Sequence, residues 1–512
     1  MTMGGDGGSL IPIAMGHAPA PNTLLRQAYD MSRVLAVTSE IYPLIKTGGL
    51  ADVTGALPLA LNAAGVETIT LVPGYPAVLQ GLKNPGEVWH FPDMFGGHAY
   101  VIRGTAASLD LLVLDAPHLF NRPGNPYNGP DGREWHDNGI RFAALGAAGA
   151  AIGNGLIPGL SFDIVHAHDW QSAMAPVYLN YHHGPRPGTV LTIHNLAFQG
   201  RFAASLFPRL GLPGSAFGFD GLEYHHDVSF LKGGLCFADR LTTVSPTYAR
   251  EITTEEYGMG LDGLMRYRAA SLTGIVNGID DAVWNPATDE LIPHKFSRGR
   301  IGQRAGNKTA LQRRLGLVES QSALVIGVVS RLTSQKGLDM LLENLPGLIA
   351  DGVQLALLGS GERELEFSFI EAAARNPGAI GCVMGYNEQL AHLIQAGSDA
   401  LLVPSRFEPC GLTQLCALRY GSIPVVSRVG GLADTVIDAN EAALTAGVAT
   451  GIQFSPATPE ALEDGLRRLL ILWRNQPVWQ RMQRNAMNAD VSWRNPAAHY
   501  ATLYNSILAE RS

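Results

Sequence analysis

Two series of short apolar runs, each run followed by a helical stretch, constrain this chain more than any other feature. The first series is Val34–Ser39, Thr68–Val72, Asp110–Leu114, Asp163–Ala167, Gly188–Ile193 and Arg240–Val244. The second is Leu324–Ser330, Val353–Leu358, Ile380–Met384, Ala400–Pro404, Ile423–Ser427 and Thr450–Phe454. The runs are apolar throughout and do not alternate, which is the pattern of parallel strands covered on both faces. Helical stretches such as Glu388–Ala396 and Pro459–Trp473 supply the cover. Two series predict two doubly wound α/β domains, and 512 residues are too many for one ordinary core. The pattern breaks between about 270 and 320, at Asn285-Pro286 and the polar segment 293–314. A last helix, Ala497–Glu510, has no strand after it.

Composition narrows the function classes. Apolar residues are 46% and charged residues 16%, which fits a packed globular protein. A net charge of −8 leaves no basic surface for nucleic acid. Cys236, Cys382, Cys410 and Cys416 form no CxxC pair, so a reducing, cytoplasmic setting is expected and a zinc site is not. The uncharged stretch Phe142–Phe162 is Ala- and Gly-rich and contains Asn154 and Pro158. It reads as a close-packed helix ending near Gly155 and not as a membrane span. Residues 1–31 lack the pattern of a signal peptide and read as a disordered extension.

In doubly wound sheets, ligands bind beyond the carboxyl ends of the strands. The polar residues of note follow those ends. Glu408 follows Ala400–Pro404, and the helix start after it leaves the N–H groups of Leu412 and Thr413 open to an anion. Arg331 follows Leu324–Ser330, with Lys336 and Gly337 close behind, a cation pair suited to a diphosphate. His168 and Asp169 follow Asp163–Ala167. His194 and Asn195 follow Gly188–Ile193, with Gln199 nearby as a hydroxyl-binding side chain. Lys46-Thr47-Gly48-Gly49 lies after the first strand and combines a cation with backbone unshielded by Cβ atoms.

Several motifs are discounted. The KTGG loop lacks Walker spacing, and Gly359-Ser-Gly361 followed by Glu364 leaves the dinucleotide fingerprint incomplete. His166 and His168 share a strand face, but no third ligand is evident, and no DxD triplet is present to carry a metal. A dehydrogenase and a noncatalytic glucan-binding protein are the competing classes. The incomplete fingerprint argues against the first, the cation pair with Glu408 against the second.

Together the segments KTGGLADV (46–53), HAHDW (166–170), HNLAFQG (194–200), VSFLKGG (228–234), YGMGL (257–261), GIVNGID (274–280), SRLTSQKG (330–337), PSRFEPCGLTQ (404–414) and GGLADTVID (430–438) resemble the bacterial glycogen synthase and plant starch synthase family. The resemblance implies a GT-B glycosyltransferase with two Rossmann-like domains facing a central cleft. It would have an acceptor-side domain over 32–275, a donor-side domain over 276–490, and a C-terminal helix over 491–512 crossing back to the first domain. It implies transfer of glucose from ADP-glucose to an α-1,4-glucan with retention, without a metal or other cofactor; a UDP-glucose-using relative is the runner-up. Glu408, His194, Asp169, Arg331 and Lys336 would form the catalytic set. Lys46, Gly49, Asn277, Tyr386, Gly411, Leu412 and Thr413 would hold the donor, with Tyr386 stacked on the base. Asn195, Gln199 and Cys410 would meet sugar. Cys410, inside the site loop, is expected to react with thiol reagents.

Overall fold

The computed structural model describes residues 31–511; the expected N-terminal extension therefore lies outside the described residues, apart from Met31. The chain forms two compact units. One holds the described residues up to Thr242 together with Gly258–Thr273 and those from Ala497 on; the other holds Thr243–Tyr257 and Gly274–Pro496.

The nine-stranded sheet of the first unit runs, from one edge, Leu272–Gly274, Arg240–Thr243, Gly188–Ile193, Ile164–His168, Ser32–Val37, Val66–Pro73, Leu109–Asp115, Ala99–Ala106 and Lys83–Phe91. Ser32–Val37 pairs in parallel with Val66–Pro73 on one side and with Ile164–His168 on the other. The strand order reverses there, so the loops after Val37 and His168 open beside each other at a topological switch point. The Ala/Gly stretch is the helix Asn138–Gly153, almost wholly buried. Its glycines permit close approach: a Cβ on Gly146 would meet Met174 Cβ at 2.5 Å. Among the described residues no helix is long and apolar enough to cross a membrane.

The last helix, Arg494–Arg511, returns the chain to the first unit. The Tyr504 hydroxyl lies 2.8 Å from His166 Nδ1, and Arg511 donates to the Arg186 carbonyl at 2.6 Å.

The six-stranded sheet of the second unit is parallel, in the order Ile380–Met384, Gln354–Gly361, Val325–Leu332, Ala400–Val403, Ile423–Ser427, Ile452–Phe454. Numbered by sequence this is 3-2-1-4-5-6, the nucleotide-binding order, with its switch point between Val325–Leu332 and Ala400–Val403.

The expected first domain, continuous to residue 275, needs correction. Thr243–Tyr257 belongs with the second unit because its polar groups bond there. Thr247 donates through N and Oγ1 to Asp434 at 2.8 and 2.6 Å, and Glu251 accepts from Gly430 N at 2.9 Å.

Candidate functional site

Each unit carries one cluster at its switch point. In the second, Lys336 Nζ lies 2.5 Å from Glu408 Oε2, and Ser405 Oγ donates to the same oxygen at 2.9 Å. Glu408 is 7% exposed. Among the described residues nothing bonds Glu408 Oε1, so one oxygen is spent on holding the side chain and the other stays open to a hydroxyl. Lys336 likewise has two N–H groups beyond the one given to Glu408.

The local chain explains why the pair forms. After the strand Val325–Leu332, a 3₁₀ turn at Ser334–Lys336 ends at Gly337, whose φ of 66° starts the helix Leu338–Ala350. A Cβ on Gly337 would sit 2.1 Å from the Pro404 carbonyl oxygen, so only glycine lets the two site loops touch. Arg406 ties them further: it grips Asp339 with both terminal nitrogens at 2.8 and 2.6 Å, and its N–H donates to the Gln335 carbonyl at 2.9 Å. Arg331 is exposed at the strand end, and no described residue pairs with its guanidinium.

Gly411, with φ of 74°, turns the chain into the helix Thr413–Tyr420. Leu412 at its N-cap has no side-chain cap bond, which leaves the first amides for a ligand. Tyr386 follows the strand Ile380–Met384 and is 74% exposed, with its hydroxyl bonded to Glu388. Asn277 is buried and acts to lower the Cys410 thiol against the larger effect of burial, and among the described residues its Oδ1 has no partner.

Cys410 departs from expectation. It is 4% exposed, and burial pushes its thiol up to about 12. A protonated, enclosed thiol is a poor nucleophile, so the anticipated reactivity of this cysteine is corrected. Thiol reagents at pH 7.5 should label the half-buried Cys236 and Cys382 first and leave Cys410 and Cys416 unmodified until the chain unfolds. Peptide mass mapping after a short pulse checks this; early labelling of Cys410 would contradict its enclosure.

The first unit's cluster centres on Asp169 and three histidines. Asp169 sits at φ 58°, a left-handed value that costs a non-glycine residue energy and is held only by its surroundings. Its Oδ1 accepts from His194 N at 2.7 Å and from Asn195 N at 3.4 Å. Burial raises its carboxyl to about 7, against the pull of those two amides. His168 Nδ1 lies 3.1 Å from His194 Nε2. Burial drives His194 to about 3 and His168 well below its usual value, so both imidazoles are neutral near pH 7. His166 is also held at about 3 by burial, and its two nitrogens face Tyr504 and Thr192. Both ring nitrogens of His166 are thereby engaged within the protein.

Asn195 turns its Oδ1 back onto Ala197 N at 3.0 Å, and Gln199 donates its amide to the Met259 carbonyl at 2.9 Å. Lys46 pairs with Asp52 at 2.7 Å, and Gly49 opens the helix Gly49–Ala63. Glu40 is a contributor the sequence reading missed. It is 2% exposed and holds the KTGG loop, accepting from Thr47 N, Thr47 Oγ1 (2.6 Å) and Gly48 N (3.3 Å), and Tyr127 OH donates to the same oxygen as Thr47 Oγ1. A lone carboxylate three residues past an apolar strand was the available signal.

Residues 33–267 match the family model for the starch synthase catalytic domain, and residues 314–488 that for group 1 glycosyl transferases. A glycogen synthase of Rhodopseudomonas palustris is 60% identical over 478 residues, 93% of this chain and 99% of that one. Glycogen synthase 2 of Bradyrhizobium diazoefficiens is 57% identical over 480 residues, 94% of this chain and 99% of that one. Among solved structures, the catalytic domain of starch synthase IV from Arabidopsis thaliana, bound to ADP and acarbose, matches with a TM-score of 0.85 at 30% identity. The match covers 94% of this chain and 99% of that one.

Proposed function

The chain belongs to the glycogen and starch synthase family of retaining glycosyltransferases, and from that premise we propose that it transfers glucose from ADP-glucose to the nonreducing 4-hydroxyl of an α-1,4-glucan. The observation that carries the reading is the Lys336–Glu408 pair at the switch point of the second sheet, with Arg331 close by in sequence and its guanidinium unpaired among the described residues. Cleaving a sugar–diphosphate bond builds positive charge on the sugar and negative charge on the departing phosphate. Lys336 and Arg331 meet the phosphate charge, and the amides of Leu412 and Thr413 add fixed dipoles to it. Glu408 Oε1 accepts glucose hydroxyls and fixes the ring. Tyr386 offers its exposed face to the base, and Lys46 and Gly49 are assigned to the phosphate.

In the first unit, the neutral imidazole of His194 can accept or donate a hydrogen bond without repelling a cationic sugar. Asp169 holds the His194 backbone and so sets where that ring points. Retention is assigned to attack on the same face as the leaving phosphate, which then takes the acceptor's proton. This route needs no metal and no protein nucleophile. The starch synthase IV relative was solved with ADP, which favours adenosine as the base here. Four free cysteines suit a reducing compartment, and we assign the enzyme to the cytoplasm.

Side-by-side extension of a maltooligosaccharide with ADP-glucose and UDP-glucose tests the donor. ADP-glucose should give the larger kcat/KM by at least an order of magnitude, about the 1.4 kcal/mol that one discriminating base contact supplies. Equal use of the two, or preference for UDP-glucose, would overturn the assignment of the base.

A further inference from the structure

Two short helices of the second unit, Pro246–Glu251 and Gly430–Thr435, are pinned together at both ends. At one end Thr247 donates to Asp434 twice. At the other, Glu251 Oε1 accepts from Gly430 N at 2.9 Å, while Glu251 Oε2 is buried and has no partner among the described residues. Holding a carboxylate there costs stability. Loss of water raises its carboxyl, with Asp434 and Glu256 adding to the effect and the Gly430 amide and Arg250 opposing it.

The amide that Glu251 holds belongs to the backbone under Glu408. Gly430 has φ of 41°, and a Cβ there would lie 1.9 Å from the Glu408 carbonyl oxygen. The next amide, Gly431 N, donates to the carbonyls of Glu408 and Pro409, both at 3.1 Å. A Cβ on Gly431 would meet the Cys410 carbonyl oxygen at 2.3 Å. The glycine pair is therefore a platform in direct backbone contact with residues 408–410, and its first amide is fixed by one side chain from a distant part of the chain.

We propose that Glu251 is a positioning residue for Glu408: by fixing Gly430 it sets the height of the platform on which the Glu408 backbone rests, and so the place of Glu408 Oε1. The inference rests on the reading of Glu408 as the residue that holds the donor sugar. Thr247 is the internal control, because it joins the same two helices without touching the platform.

The experiment compares Glu251→Ala, Glu251→Gln, Thr247→Val and Glu408→Ala in the full-length chain, by steady-state kinetics and thermal unfolding. Glu251→Ala should lower kcat by roughly tenfold or more, within the range expected when a reacting group shifts by a fraction of an ångström. KM for the oligosaccharide acceptor should stay within about twofold. Glu251→Gln retains an oxygen for Gly430 N and should keep kcat within about threefold of wild type. Thr247→Val should destabilise the chain comparably yet also keep kcat within about threefold. If Glu251→Ala does not fold, Glu251→Asp, which withdraws the acceptor by one methylene, is judged by the same thresholds. The inference is overturned if Glu251→Ala keeps kcat within threefold, if Thr247→Val loses as much activity, or if Glu251→Gln is as impaired as Glu251→Ala. Full activity in Glu408→Ala would instead bring down the reading of the site itself. An inactive Glu408→Ala beside an active Glu251→Ala removes the positioning role alone.

Discussion

Replacing Lys336 with Ala should lower kcat/KM by roughly 10²–10³, the loss typical of removing one preorganised group from developing charge. The expectation follows from how the site is wired. Lys336 touches Glu408 at 2.5 Å and retains two N–H groups, so one side chain serves both the sugar-holding carboxylate and the leaving phosphate. Its removal leaves Glu408 Oε2 with only Ser405 as a donor. A buried carboxylate left without its cation draws in water and loses its fixed position, which spoils its hold on hydroxyls. The loss should therefore fall on kcat as well as on donor KM. Lys336→Arg should not restore activity, because a planar fork cannot replace a compact ammonium in this turn. Assay well below the unfolding temperature separates chemistry from folding. Activity within about threefold of wild type would refute the shared role of Lys336.

The second large effect is on stability toward acid. His166 and His194 are held near 3 and His168 well below its usual value, all by burial. In the unfolded chain each takes up a proton near pH 6.5. The stability they contribute is complete above that pH and is lost as pH falls toward the folded values. Asp169 works in the opposite sense. Its folded carboxyl, raised to about 7, keeps a proton that the unfolded chain releases near 4, so its contribution is present at low pH and lost as pH rises through 7. Between about pH 4.5 and 6 the unfolded state thus binds three protons on the histidines, and the folded state holds one on Asp169. A net uptake of two protons costs on the order of 3 kcal/mol of stability per pH unit. Calorimetric Tm should fall steeply below pH 6. His166→Gln, whose amide can still reach Tyr504 and Thr192, should flatten the slope by about one proton in two. A Tm unchanged from pH 7 to 5 would contradict the neutral histidine cluster.

What could be read from the sequence follows from what holds each element in place. Gly188–Ile193 and Ile423–Ser427 fold at the expected bounds because every residue is buried and apolar or small, and Ile380–Met384 keeps its expected bounds at the sheet edge with its last three residues partly buried. The antiparallel strands Lys83–Phe91 and Ala99–Ala106 were not anticipated: the first is largely exposed, contains Pro85 and Gly86, and owes its existence to pairing with the second. Lys336 and Glu408 could be named because each follows a strand end, yet their direct contact bridges 72 residues and no local pattern encodes it. Glu40 escaped notice for the same reason, since Tyr127 lies 87 residues away. The place of Thr243–Tyr257 was likewise hidden, because Thr247 and Glu251 find partners at Asp434 and Gly430, 187 and 179 residues on.

The return of the final helix to the first unit sets an order of events during synthesis. Tyr500, Tyr504 and Ile507 are nearly inaccessible, and Tyr504 caps His166. The ribosome must finish more than two hundred further residues after Thr273 before it delivers them, which takes on the order of tens of seconds. Throughout that interval His166 lacks its Tyr504 partner, and the surface that Tyr500, Tyr504 and Ile507 later cover stays open to water.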